Sequence, residues 1–207
     1  MAPSEPPALA PAPAAGQTAL LIIDMISCWD FPDADKLLPG AHAIAGRIAA
    51  LKARCTRAGV PTLYVNDNRG RWRSDFRKLV ELSLASGGAG AEITSALRPE
   101  ETDYFVLKPK QSAFFATPLE LLLAYLDARR LIVTGVASDQ CIWATLADAG
   151  MRDLEAIAPR DCVASQTTAR NERFLRQAEE ALRVPTTPGP RIRLTSGRRE
   201  PRTKAAG

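Results

Sequence analysis

Apolar positions along the chain fall into two alternating textures. Short, nearly unbroken runs of strand length occur at 18–24 ("TALLIID"), 60–65 ("VPTLYV"), 104–108 ("YFVLK"), 129–135 ("RRLIVTG") and 154–158 ("LEAIA"). Between them, Ala, Ile and Leu recur at helical spacing over 41–59, 117–128, 139–150 and 168–182, which predicts helices with one buried face. Gly59 is placed to end the first of these. Thr117, Pro118 and Glu120 read as a capping box that starts the second, with the threonine as cap and the proline at the first helical position.

Strands that lack polar alternation and are separated by helices imply a parallel sheet covered on both faces. The expected fold class is therefore α/β, a three-layer α/β/α arrangement around a central, mostly parallel sheet of Rossmann-like character. At 207 residues the chain suits one domain. The Pro/Ala-rich residues 1–15 and the basic residues 186–207 read as flexible tails flanking a body at 16–185.

Composition changes this picture in three places. The net charge of +4 is carried by the end of the chain, where residues 190–207 hold six Arg or Lys against Glu200, so the body is neutral. Neutrality gives no electrostatic reason to expect nucleic acid or an acidic membrane as partner. The four cysteines, Cys28, Cys55, Cys141 and Cys162, are widely spaced and show no CxxC pair. With no secretory leader pattern and no run of about 18 apolar residues, free thiols and a cytoplasmic protein are expected. The one histidine, His42 in "PGAHAIAG", reads as a surface helix residue, and a single histidine cannot build a multi-histidine metal site.

In parallel α/β sheets, ligands bind beyond the carboxyl ends of the strands. Three reactive side chains fall there: Asp24 after the first strand, Lys108 at the end of the third, and Cys141 at the start of the helix that follows the fourth. A thiol near a helix N-terminus and beside an ammonium is expected to favour thiolate, and a carboxylate within reach could move its proton. Lys110 lies on the same strand face as Lys108, so spacing alone leaves either lysine open. For Cys141 the competing reading is a buried core thiol.

The segments "LLIIDM", "VLKPKQSAFFATPLELLL" and "LIVTGVASDQCIWATLADA", in this order, resemble the isochorismatase-like cysteine hydrolases, over about residues 17–170. The resemblance implies an Asp24, Lys108 and Cys141 triad, with Lys108 chosen over Lys110 by its distance from "SAF". It also implies a cis peptide between Val136 and Ala137 that aims the backbone N–H groups of Ala137 and Cys141 as an oxyanion hole. The expected function is metal-independent hydrolysis of a C–N bond in a small amide, imide or ureido compound through a thioester on Cys141. No cofactor and no metal are expected, because metal-bearing nicotinamidases of this family use an aspartate and two histidines, and the corresponding "YVNDNRGRW" contains no histidine. Family members are frequently oligomeric, which implies a homo-oligomer acting on a small molecule. The alternative is a catalytically weak binding or scaffold protein of the same fold.

Pocket side chains are expected from loops near the strand ends, with Trp29, Phe31, Asn66, Asp67, Trp72 and Phe114 as candidates. The stretch "NRGRWRSDFRK" (68–78) interleaves five basic residues with Trp72 and Phe76. That pattern suits single-stranded nucleic acid superficially, but with a neutral body it reads better as a loop over the active-site edge or as a solvated helix start.

Overall fold

The computed structural model describes residues 17–68 and 75–194. Its five strands are β1 (Gln17–Ile23), β2 (Thr62–Asp67), β3 (Tyr104–Lys108), β4 (Ala128–Gly135) and β5 (Glu155–Ile157). Its six α-helices are α1 (Ala34–Arg57), α2 (Phe76–Ala85), α3 (Gly88–Ala96), α4 (Leu119–Tyr125), α5 (Trp143–Gly150) and α6 (Thr168–Glu180). The strands pair in the order β3-β2-β1-β4-β5, all parallel, with Ile23 opposite Val65 on one side and Gly135 on the other.

Strand periodicity explains why β1 is apolar throughout. Leu20 and Ile22 point to one face and pack with Tyr64, Ile132 and the buried sides of α1, α2 and α3. Leu21 and Ile23 point to the other, against Leu63, Val65, Val133 and the buried sides of α4, α5 and α6. Both faces are dry, so alternation would have placed a polar residue in a core. This is the three-layer α/β/α sandwich that the run pattern predicts.

Departures from the sequence expectation are local. Helix α1 begins at Ala34 rather than 41, because Pro39 is tolerated inside it at the loss of one helical hydrogen bond. Helices α2 and α3, which the periodicity does not predict, bury few apolar side chains between them. Asp75 caps α2 by accepting from the Arg77 backbone N–H at 2.8 Å. The Thr117 hydroxyl does accept from the Leu119 N–H (3.2 Å), but Glu120 turns to Arg152 (2.9 Å), so the second half of the capping box is not made.

The packed body also reaches past position 185, where the sequence pattern predicts the flexible tail to begin. Ile192 is buried in the α1-side core, and Arg54 donates to the carbonyls of Gly189 (2.6 Å) and Ile192 (2.9 Å). No helix among the described residues is long and apolar enough to cross a membrane.

Candidate active site

The carboxyl ends of β1, β3 and β4 meet where the sheet order places β1 between β2 and β4. Asp24 leaves β1 in a left-handed conformation (φ 55°), its own N–H donating to the Val65 carbonyl at 2.8 Å. Aspartate is among the few residues that adopt this conformation readily. Its Oδ1 accepts from the Asp67 backbone N–H (2.8 Å), which leaves Oδ2 for Lys108.

Lys108 ends β3 with its side chain wholly buried. Nζ lies 2.9 Å from Asp24 Oδ2 and donates to Cys141 Sγ at 3.4 Å, with Asp67 Oδ2 at 3.8 Å. A buried ammonium is tolerable only with such partners. Burial pulls its pKa down, but the carboxylates of Asp24 and Asp67 prevail and the ammonium is held above the ordinary lysine value. Lys110 is exposed, so the structure separates the two lysines that strand spacing could not.

Cys141 sits in a π-helical turn (Ser138–Ile142) that precedes α5. Four contacts fix this turn. The Ser138 N–H donates to the Ala164 carbonyl (2.8 Å), Asp139 accepts from Arg170 Nε (2.6 Å) and from the Ser165 hydroxyl, and the Thr145 hydroxyl donates to the Cys141 carbonyl (2.7 Å). The peptide bond between Val136 and Ala137 is cis, and the Val136 N–H donates to the Ile23 carbonyl at 3.1 Å.

The thiol differs from the expectation of an acidified cysteine. Burial pushes Cys141 up, the Asp24 carboxylate pushes it further, and Lys108 offsets only part, leaving the thiol raised to about 12. At neutral pH the resting thiol is therefore neutral and lies beside the Lys108 ammonium. A helix terminus and a lysine act against desolvation and a neighbouring anion, and here the latter two win.

A cavity of about 490 Å³ opens onto this cluster. Of the sequence candidates, Asp24, Phe31, Asn66, Asp67, Val136, Ala137 and Cys141 line it. Trp29 does not line it: its ring stands behind Phe31 (centroids 5.9 Å apart), and an added Cβ at Gly90 would lie 2.6 Å from it. Phe114 is a core residue on the α4 face, with the Arg152 guanidinium 4.7 Å above its ring. Trp72 lies outside the described residues. Phe76 is no nucleic-acid platform, being buried and stacked on Phe105 at 5.0 Å. Sequence reasoning missed Ile26, Ser27, Asp30, Pro32, Leu37 and Gln140, which complete the wall. The available signal was position, since most of them lie in the connection from β1 to α1 at the strand ends.

Among the described residues, no group of three or more His, Cys, Asp and Glu side chains is placed to hold a metal ion. His42 is exposed on α1, its Nε2 2.8 Å from Glu92.

Comparison with known proteins agrees with this architecture. The family model of the Isochorismatase domain matches residues 18–188. The uncharacterized isochorismatase family protein YaaI of Bacillus subtilis is 35% identical over 164 residues, covering 79% of this chain and 90% of that one. The N-carbamoylsarcosine amidase of Arthrobacter sp is 27% identical over 157 residues, covering 70% of this chain and 58% of the amidase. The crystal structure of an isochorismatase family protein from Desulfovibrio vulgaris superposes with a TM-score of 0.66 at 26% identity, covering 84% of this chain and 95% of that one. A five-stranded parallel sheet, a domain match over residues 18–188 and a relative 35% identical over most of both chains lead to one assignment: the chain belongs to the isochorismatase family of hydrolases.

Proposed function

We propose that the protein is a metal-independent cysteine hydrolase that cleaves a C–N bond of a small amide, imide or ureido compound through a thioester on Cys141. The observation that carries this reading is the placement of one buried ammonium, Lys108 Nζ, 2.9 Å from a carboxylate and 3.4 Å from a thiol that both line a cavity. The kinship with an N-carbamoylsarcosine amidase supports it.

In this mechanism, Asp24 takes the Cys141 proton as sulfur bonds to the substrate carbonyl carbon. Because the resting thiol is neutral, the proton leaves during attack rather than before it. The backbone N–H groups of Ala137 and Cys141 hold the tetrahedral oxyanion. Protonated Asp24 then gives its proton to the departing nitrogen, the C–N bond breaks, and a thioester remains. Water attacks the thioester while Asp24 again takes a proton. The C–S bond breaks, the carboxylic acid leaves, and the thiol is restored. Lys108, 2.9 Å from Asp24 Oδ2, orients the carboxyl group through these proton transfers.

The test is ammonia or amine release from a panel of small amides, imides and ureides, with intact-protein mass spectrometry for an acyl adduct. Turnover by the wild type, its loss in a folded Cys141→Ala protein, and an adduct on Cys141 are expected. Turnover by folded Cys141→Ala would overturn covalent catalysis. A wild type inert to the whole panel would favour the binding-protein reading, which the similarity to a probable inactive nicotinamidase of Arabidopsis thaliana, 30% identical over 141 residues, makes worth testing.

A further inference from the structure

Asn66 is the penultimate residue of β2, adjacent to Asp24 across the sheet, and it is 2% exposed. Its Nδ2 donates to the Ile26 carbonyl at 2.7 Å. A carbonyl only accepts, so this contact fixes which end of the carboxamide is nitrogen and which is oxygen. Oδ1 finds no hydrogen-bond partner among the described residues. Of the buried side-chain atoms that share this condition (on Thr18, Trp29, Asn66, Ser138 and Asn171), Asn66 Oδ1 alone belongs to a residue lining the cavity beside Cys141. Buried acceptors are almost always satisfied in folded proteins, and one left over beside a reactive thiol needs a donor from outside the protein.

We infer that Asn66 is a specificity-determining residue whose side-chain oxygen accepts a hydrogen bond from an N–H of the bound substrate. This rests on the reading of Cys141 as a nucleophile working in this cavity. The inference narrows the substrate class. A carbonyl compound whose nitrogen carries at least one hydrogen, such as a primary or secondary amide or a carbamoyl group, satisfies Oδ1. An ester or a fully substituted amide leaves it buried and unmet. A site built around one hydrogen bond rejects the analogue that lacks the donor by about tenfold to a hundredfold, the range that corresponds to one unsatisfied buried group.

The experiment needs no identified substrate. Cys141 is alkylated at pH 9 with iodoacetamide, N-methyl-iodoacetamide and N,N-dimethyl-iodoacetamide, and each rate is divided by that of N-acetylcysteine with the same reagent. Peptide mass mapping isolates Cys141 from the other cysteines. The first two reagents, which keep a donor, are expected to react with wild-type Cys141 at least tenfold faster than the third after this normalisation. In Asn66→Leu the three normalised rates should fall within about twofold of one another. Should that variant fail to fold, the wild-type series still decides, because size alone predicts a graded decline through the N-methyl reagent whereas the donor requirement predicts a step after it. Equal or merely graded rates in the wild type, or an unchanged step in folded Asn66→Leu, would overturn the role of Asn66 while leaving the nucleophile intact. A Cys141 inert to all three reagents would overturn both.

Discussion

The Lys108 ammonium, with no solvent exposure, lies 2.9 Å from the Asp24 carboxylate. This pair makes opposite demands on the nearby thiol, since Asp24 raises the Cys141 pKa and Lys108 lowers it. Asp24→Asn should therefore move Cys141 alkylation to lower pH while cutting amide turnover by about 10²–10⁴-fold, the usual worth of a general base. Lys108→Met should move alkylation to higher pH and destabilise the fold by about 3–5 kcal/mol, because it strands a largely buried carboxylate. The double variant should recover part of that stability. Iodoacetamide kinetics against pH, with urea unfolding of all four proteins, checks the set. A faster thiol accompanied by faster turnover in Asp24→Asn would remove the carboxylate from its role as base.

Buried thiols also set an alkaline limit to stability. Burial raises Cys55 to about 11, and it raises Cys162 to about 12 with help from Asp161. Each thiol folds as the neutral form, so each contribution is complete below the unfolded thiol pKa near 8.5 and is lost as pH rises toward the folded value. Stability should be flat from pH 7 to 8 and then fall by up to about 1.4 kcal/mol per pH unit for each such thiol. Urea midpoints at pH 7, 8, 9 and 10 under reducing conditions measure the slope, and Cys55→Ala should make it shallower.

What can be read from the sequence divides along a physical line. The strands and helices α1, α4, α5 and α6 are legible because burial against the two sheet faces writes itself as apolar runs and helically spaced apolar positions. Asp24 and Cys141 are legible because parallel strands carry their ends to one edge, whereas Lys108 is told from Lys110 only by the family resemblance. Helices α2 and α3 are not, because they rest on a few contacts such as Phe76 and Ile93 rather than on a long apolar stripe. The protonation state of Cys141 is illegible for a related reason. Helix dipole and lysine are visible in order along the chain, whereas the depth of burial and the nearness of Asp24 exist only after folding. Phe114 and Trp29 show the same limit, since proximity to a strand end does not say which side of the sheet or which layer of the wall an aromatic ring will occupy.

Thr145 couples Cys141 to the neighbouring segment. Its hydroxyl donates to the Cys141 carbonyl (2.7 Å) and accepts from the Ala113 N–H (3.0 Å), and the residue is wholly buried. Thr145→Val keeps the shape and orphans that N–H, so a loss of about 1–3 kcal/mol is expected in urea unfolding. The Cys141 turn also loses one of its fixing contacts, and a lower kcat at nearly constant KM should follow on whichever amide the wild type turns over. A variant as stable and as active as the wild type would show the hydroxyl to be dispensable.

Two glycines make opposite predictions from the same substitution. Gly135 ends β4 at φ 111°, where a Cβ would stand 2.0 Å from the Ile23 carbonyl oxygen. That atom is backbone of the central strand and already accepts from Val136 N–H, so it cannot yield without opening the seam between β1 and β4 at the approach to the candidate site. Gly135→Ala should cost more than about 4 kcal/mol or prevent folding, as expected where strain and a backbone clash coincide. Gly46 is exposed within α1, and a Cβ added there would meet nothing within 4 Å, so Gly46→Ala should stabilise by about 0.5–1 kcal/mol through helix propensity alone. Thermal unfolding of the two proteins side by side separates backbone constraint from propensity. A tolerated Gly135→Ala would mean that the exit of β4 can be rebuilt, and with it the approach to Ala137 and Cys141.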